Sequence, residues 1–393
     1  MQKILFFFLS MLKTYKRFIW SLQGKKESDI QEDRIVSGKA WDDFCDQLKL
    51  AGATLNYPGT PQDVFSQSEG IRYLTRLTRA GLEAYVEYGD PDFPVLRRMV
   101  HETVKLGADN PDNYYFNAQI DGRNEYRIKG KRNSIHYLGF FTQNGGYGST
   151  GGLAPCGVLQ GSDLQLDNDG NFEIILSKEE RGSNWLKIEE DTSLVIVRQT
   201  FYSREAEVPA ELFIETINNQ KAPAALSPQR LEEGLKMASM FVAGAPLLFT
   251  RWAKGFKNHV NTLPQFDPEV SNKAGGDADI IYYHSYWKLD QDEVLRIRVK
   301  PPECDNWNFQ LNNYWMESLD YRYHTVCINK GSAVLDPDGR VTILVSHRDP
   351  GKPNWIETCD HFEGTMCWRW YRLTPGQAAI SPDCEVVKFT SLN

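Results

Sequence analysis

The sequence predicts a mainly β protein with a helical N-terminal region, followed by two related antiparallel jelly-roll-like β-sandwich units that flank a helical insert. Two observations carry that fold class: segments about 170 residues apart resemble each other, and within them short runs alternate apolar and polar residues at period two. A chain of 393 residues with 41% apolar and 24% charged side chains buries a sizeable core, and wholesale disorder is excluded. The organisation read from the sequence is a basic/apolar segment over 1–37, a helical region over 38–113, a first β-sandwich unit over 114–217, a helical insert over 218–279 and a second β-sandwich unit over 280–393.

The first segment carries Lys3, Lys13, Lys16, Arg17, Lys25 and Lys26 with no acid before Glu27. That is +6, which leaves −14 for residues 27–393 of a chain whose total is −8. An acidic body disfavours nucleic acid, because a phosphate backbone demands clustered Lys and Arg. The apolar run Ile4–Leu12 is too short to span a bilayer, which takes roughly 20 residues. Read as a helix, Leu5, Phe8, Leu12, Tyr15 and Ile19 share a face opposite Lys13, Lys16 and Arg17, so residues 1–20 fit a peripheral contact with an anionic membrane surface. Seven cysteines form no CxxC pair, which reads as a reduced, cytoplasmic protein, soluble or peripheral at the inner membrane surface. Cys359-x-His361 is an incomplete ligand set, and no metal or cofactor is expected.

Thr60-Pro61-x-Asp63 reads as a helix start, and Ile71, Leu74, Leu77, Gly81, Tyr85 and Tyr88 recur at helical spacing after it. Arg72, Arg76 and Arg79 fall off that stripe and read as a solvated face. Gly89–Asp92 breaks the helix, Pro94–Lys105 is expected to resume it, and Gly107 to end it. In the insert, Arg230–Lys257 reads as a helix pair or one kinked helix interrupted at Gly244-Ala245-Pro246.

The repeat is explicit. Asp167-Asn168-Asp169-Gly170 answers Asp336-Pro337-Asp338-Gly339, the strand FEIILS (172–177) answers VTILVS (341–346), and Asn184-Trp185 answers Asn354-Trp355. Upstream, 126–129 answers 295–298, and 194–199 answers 366–371. Leu295, Ile297 and Val299 would face a core, as would Phe172, Ile174 and Leu176, and Met366, Trp368 and Trp370. The DxDG elements read as hairpin turns. The Asn-Trp pairs read as structural corners.

Segment 338–373, together with 107–130 and 182–202, resembles a bacterial family catalogued as domain of unknown function twelve-fourteen. The resemblance covers most of residues 40–393 and implies a β-rich fold like a pair of jelly rolls. It implies no reaction.

No Walker loop, dinucleotide fingerprint, HExxH, nucleophile elbow or EF-hand loop is present. The function read from the sequence is binding of a small polar or glycan-like ligand between the two β units, beneath the glycine-rich loop 143–152 that carries Tyr147. Asp109, Asn110 and Asn113 in an Asp-Asn-Pro-Asp-Asn run are suited to a hard cation or sugar hydroxyls, or equally to nested turns. Arg127, Arg198, Arg296 and Arg369 recur at matching places, and arginines pointed from both units into one cleft would select an anion. Trp315 belongs to an aromatic cluster suited to stacking on a ring. Two further classes stay open: a hydrolase or lyase using His347 with Asp349, and a membrane-surface interaction protein.

Overall fold

The structure, a computed structural model, describes residues 26–146, 152–217 and 222–392. The interfacial face expected in residues 1–20 lies outside the described residues, as does Tyr147. Helices α1 (Glu27–Val36), α2 (Lys39–Ala51) and α3 (Val64–Leu82) open the described chain. Asp63 caps α3 by accepting from the Ser66 amide at 2.8 Å, while Thr60 turns its hydroxyl back to the Leu55 and Tyr57 carbonyls. The solvated arginine face is only partly so, because Arg76 reaches the buried carboxylate of Glu317.

Residues 94–105 are not helical. Arg97–Val100 forms strand β1, antiparallel to β2 (Asn113–Gln119). An open sheet edge supplies backbone partners that a short solvated helix lacks, and tertiary pairing overrides the local pattern.

The first β unit contains β2, β3 (Tyr126–Lys131), β4 (Tyr137–Gly145), β5 (Leu153–Gln160), β6 (Asn171–Ser177), β7 (Trp185–Lys187), β8 (Thr192–Thr200) and β9 (Glu211–Thr216). Its sheets run β1-β2-β8-β4-β5 and β7-β6-β3-β9. Helices α4 (Pro228–Phe256) and α5 (Pro268–Lys273) follow. The second unit contains β10 (Ile280–Lys288), β11 (Glu293–Val299), β12 (Cys304–Leu311), β13 (Cys327–Asn329), β14 (Val341–Ser346), β15 (Trp355–Glu357), β16 (Glu363–Leu373) and β17 (Asp383–Lys388). Its sheets run β10-β16-β12-β13 and β15-β14-β11-β17, the same order strand for strand once the added edge strand β1 is set aside. Each unit is antiparallel except for one short parallel pair, β6 with β7 and β14 with β15.

Period-two alternation fills each sandwich. Ile128, Phe140, Ile174, Val195 and Val197 close the first core; Ile297, Phe309, Trp307, Trp368 and Trp370 close the second, with the Trp307 and Trp368 rings stacked at 5.0 Å. These tryptophans are core, not ligand platforms, because each is at most 1% exposed. Trp315 is equally buried, in a third cluster between α3, α4 and the second unit, where its indole donates to the Ser66 carbonyl at 2.8 Å. The DxDG elements reverse the chain locally at Gly170 and Gly339 (φ +80° and +78°), just before β6 and β14. Each is a tight local reversal, closed in the second unit by the antiparallel bridge Leu335–Val341, and each lies on the connection from one sheet of its unit to the other.

The corners match as expected. Asn184 accepts from the Gln165 amide and donates to the Gln165 and Glu173 carbonyls; Asn354 does the same with Val334 and Thr342. Helix α4 is one helix with Pro246 inside it, and its start is capped by Ser227. Of the two readings, the single helix holds and the helix pair does not. Buried packing of Phe241, Ala245 and Phe249 holds the helix through the missing amide donor.

The helical front is pinned to the second unit by buried ionic groups. His361 Nε2 meets Glu69 at 2.8 Å, and Asn313 bridges Glu69 to Glu317. Burial works against charge on His361, but the bond and charge of Glu69 outweigh it and raise the pKa above 6.5.

Two outcomes are expected. Asn184→Ala leaves three backbone groups short of a partner and lowers stability by about 1–3 kcal/mol in denaturant titration. For His361 the sign follows from a raised folded pKa: its contribution is full below 6.5 and is lost as pH rises through the raised value. The gap in melting temperature between the natural chain and His361→Gln should therefore narrow on going from acid to alkaline buffer.

Candidate functional site

Strand alternation sends one face of each sheet into its own core and the other face outward. In β8, Val195 and Val197 point into the first core, so Leu194, Ile196 and Arg198 point out. In β16, Trp368 and Trp370 point into the second core, and Arg369 and Tyr371 point out. On the neighbouring strands Tyr115 pairs in register with Arg198, and Tyr282 with Arg369. The two outward faces meet and enclose a cavity of about 170 Å³. Met237, Phe241, Phe249 and Trp252 of α4 form its apolar wall, and Gly145, Gly146, Leu153 and residues 274–276 border it.

Both arginines are buried, with 6% and 4% of their surface exposed. Arg198 pairs with Asp277 at 3.4 Å and donates to the Gly275 carbonyl. Arg369 donates to the Ala108 carbonyl, to Gln310 Oε1 and to Asn308 Oδ1. Each unit is thus completed by the turn that leads into the other unit's first strand. The turns are themselves alike: the Asn110 amide reaches the Tyr115 hydroxyl at 3.0 Å, and the Asp277 amide reaches the Tyr282 hydroxyl at 3.2 Å. Likewise Asn110 Oδ1 accepts from the Asp112 amide, and Asp277 Oδ1 from the Asp279 amide.

Of the residues singled out from sequence, Asp109, Asn113, Arg198 and Arg369 line this cavity, and Asn110 lies directly behind it. The Asp-Asn-Pro-Asp-Asn run forms nested turns. Asp109 accepts from the Ser318 amide and hydroxyl at 2.9 and 2.8 Å, and Asn110 contacts Asn113, Tyr371 and Asn308. Burial raises the Asp109 pKa against the pull of Lys105, and burial likewise raises that of Asp112. Arg127 lies elsewhere, on the open sheet of the first unit with Glu173 and Glu215. Arg296 repeats this with Glu385.

His347 and Asp349 do not converge. His347 contacts Thr358 Oγ1 at 2.9 Å, the Leu289 carbonyl and the Phe362 ring, while Asp349 accepts from the Gly351 amide in an exposed turn. Cys359 and His361 also diverge. His361 turns to Glu69, and the Cys359 thiol lies near His324 and Glu357, three ligand atoms within 4.8 Å of one another. Burial pushes that thiol up to about 12.

Sequence reasoning missed Tyr115, Tyr282, His284 and Asn117, and it missed that α4, a helix it did expect, forms a wall of the cavity. Tyr115-x-Asn117 and Tyr282-x-His284 occupy matching strand positions, and that parallel was the available signal. His284 is stacked against Phe256 and Tyr282, and burial pushes its pKa down to about 3, so the imidazole is neutral.

Residues 287–375 match the family described as Protein of unknown function (DUF1214). An uncharacterized protein from Burkholderia cenocepacia is 46% identical, with a TM-score of 0.89 over 91% of this chain and 99% of that chain. The chain belongs to the DUF1214 family. The VPA0106 protein from Vibrio parahaemolyticus shares 12% identity over 87% of this chain and 100% of that one, with a TM-score of 0.47. No curated protein matches the chain. In this DUF1214 protein, among the described residues, no helix is long and apolar enough to cross a membrane.

Removing one member of a buried ion pair leaves the other uncompensated. Asp277→Asn should lower unfolding stability by about 3–5 kcal/mol, read from the shift in denaturant midpoint at constant slope.

Proposed function

We propose that this protein binds a small polar molecule in the cavity between its two β units. One observation supports the reading above all: two buried arginines, one from each unit, line the same cavity. Buried guanidinium groups are costly, and a fold needing only adhesion between sandwiches would use apolar contacts there. The apolar wall of α4 beside a few convergent polar groups is the usual make-up of a small-molecule site. Hydrolase or lyase chemistry at His347 draws no comparable support, because its ring nitrogens face a hydroxyl and a carbonyl. An exposed glycan platform draws none either, since the tryptophans it would use are buried. All seven cysteines are free, which supports a reducing, cytoplasmic setting.

A thermal-shift screen of small carboxylates, neutral amides and sugars tests the reading against Ile196→Phe, which fills the cavity from β8. A compound that stabilises the natural chain should lose at least tenfold in affinity in the variant, with circular dichroism unchanged. Equal affinity in both chains would move the site elsewhere.

A further inference from the structure

The cavity is close to symmetric in backbone and asymmetric in charge. Of the two buried arginines at the cavity, Arg198 has a carboxylate partner, Asp277 at 3.4 Å. Arg369 has none within 4 Å among the described residues; its side-chain partners are the amide oxygens of Asn308 and Gln310. The cause is visible in the turns. Gly275 and Ala108 offer equivalent carbonyls to the two arginines, but two residues later one turn has Asp277 and the other Asn110. A buried guanidinium cannot shed its proton, so Arg369 keeps a positive charge that no carboxylate within 4 Å meets among the described residues.

The hydrogen-bond ledger points the same way. The Tyr115 and Tyr282 hydroxyl oxygens each receive a backbone N–H, which leaves each phenol proton to find an acceptor. Both side chains line the cavity. On the other side of the ledger, Asn117 and His284 also line the cavity, and Asn117 Oδ1 and His284 Nδ1 are buried without a hydrogen-bond partner. A matching guest therefore brings an oxyanion for the guanidinium and phenols, and one donor for the carboxamide. Its body must be apolar where Phe241, Phe249 and Trp252 close over it. Size limits it further, since an apolar cavity of about 150 Å³ holds a benzene ring and this one is about 170 Å³.

We propose that the cavity takes a one-ring or similarly small carboxylate carrying a hydroxyl or N–H group, with the carboxylate at Arg369 and the apolar body against α4. This rests on the cavity reading above and narrows it to a monoanion. A neutral sugar leaves Arg369 uncompensated, and a phosphate dianion brings one more charge than the site neutralises.

Calorimetric titration of the whole chain with 4-hydroxybenzoate, benzoate, 4-hydroxybenzamide and inorganic phosphate tests it. The expected order is 4-hydroxybenzoate tightest, benzoate weaker, and the amide and phosphate at least tenfold weaker than 4-hydroxybenzoate. Asn110→Asp supplies the missing acid with little change of shape and should weaken 4-hydroxybenzoate at least tenfold. The comparison of carboxylate with amide on the natural chain decides the matter even if that variant does not fold. Equal binding of amide and carboxylate, both lost in Ile196→Phe, would overturn the anion assignment and leave the cavity reading standing. Binding that survives Ile196→Phe would overturn the cavity reading itself. No binding by any of the four, or phosphate binding tightest, overturns the carboxylate assignment.

Discussion

Two carbonyls hold this molecule together in a way that no sandwich achieves alone. Arg198 of the first unit reaches the Gly275 carbonyl in the turn entering the second, and Arg369 of the second reaches the Ala108 carbonyl in the turn entering the first. Separating the units would leave two buried guanidinium groups short of acceptors, and it would undo the turns that start β2 and β10. The exchange also explains the position of α4. The outward sheet faces carry polar side chains that water would ordinarily cover, and a helix with an apolar stripe closes the space that the two faces leave between them.

Many of the polar groups at this interface are paired. Tyr137 donates to Asp277 at 2.9 Å, Gln310 to the Asp109 carbonyl at 2.9 Å, and Lys105 to the Ser318 and Leu319 carbonyls at 2.7 Å. The helical front follows the same economy through Glu69, His361, Asn313 and Glu317. Buried networks of this kind add little net stability but penalise any other arrangement strongly, because each broken pair leaves a desolvated group behind. The register between helices and sandwiches is therefore chosen by polar contacts, while the cores inside each sandwich are closed by aliphatic and aromatic packing.

The sandwiches were legible in the sequence because alternation at period two is a local property, repeated in two places, and each copy tested the other. The Asn-Trp corners were legible for the same reason. What alternation cannot tell is whether the face turned away from a core meets water or another sheet. Arg127 and Arg296 sit on faces that meet water, with glutamates beside them; Arg198 and Arg369 sit on faces that meet each other. The four arginines look alike as sequence, and only the packing of the units separates them. Residues 94–105 failed for a related reason, since a sheet edge formed by distant residues decided their conformation. His347 and Asp349 were grouped by proximity along the chain, yet the reversal that brings Gly351 to Asp349 spends the carboxylate on the backbone.

The difference between Asn110 and Asp277 has one further consequence. An enclosure built from two like halves would accept a guest equally well in two poses related by the exchange of halves. With a carboxylate at one end and a carboxamide at the other, those poses are no longer equivalent. The interior acquires a direction, so that anything seated in it points one way relative to α4 and to the border at Gly145 and Gly146.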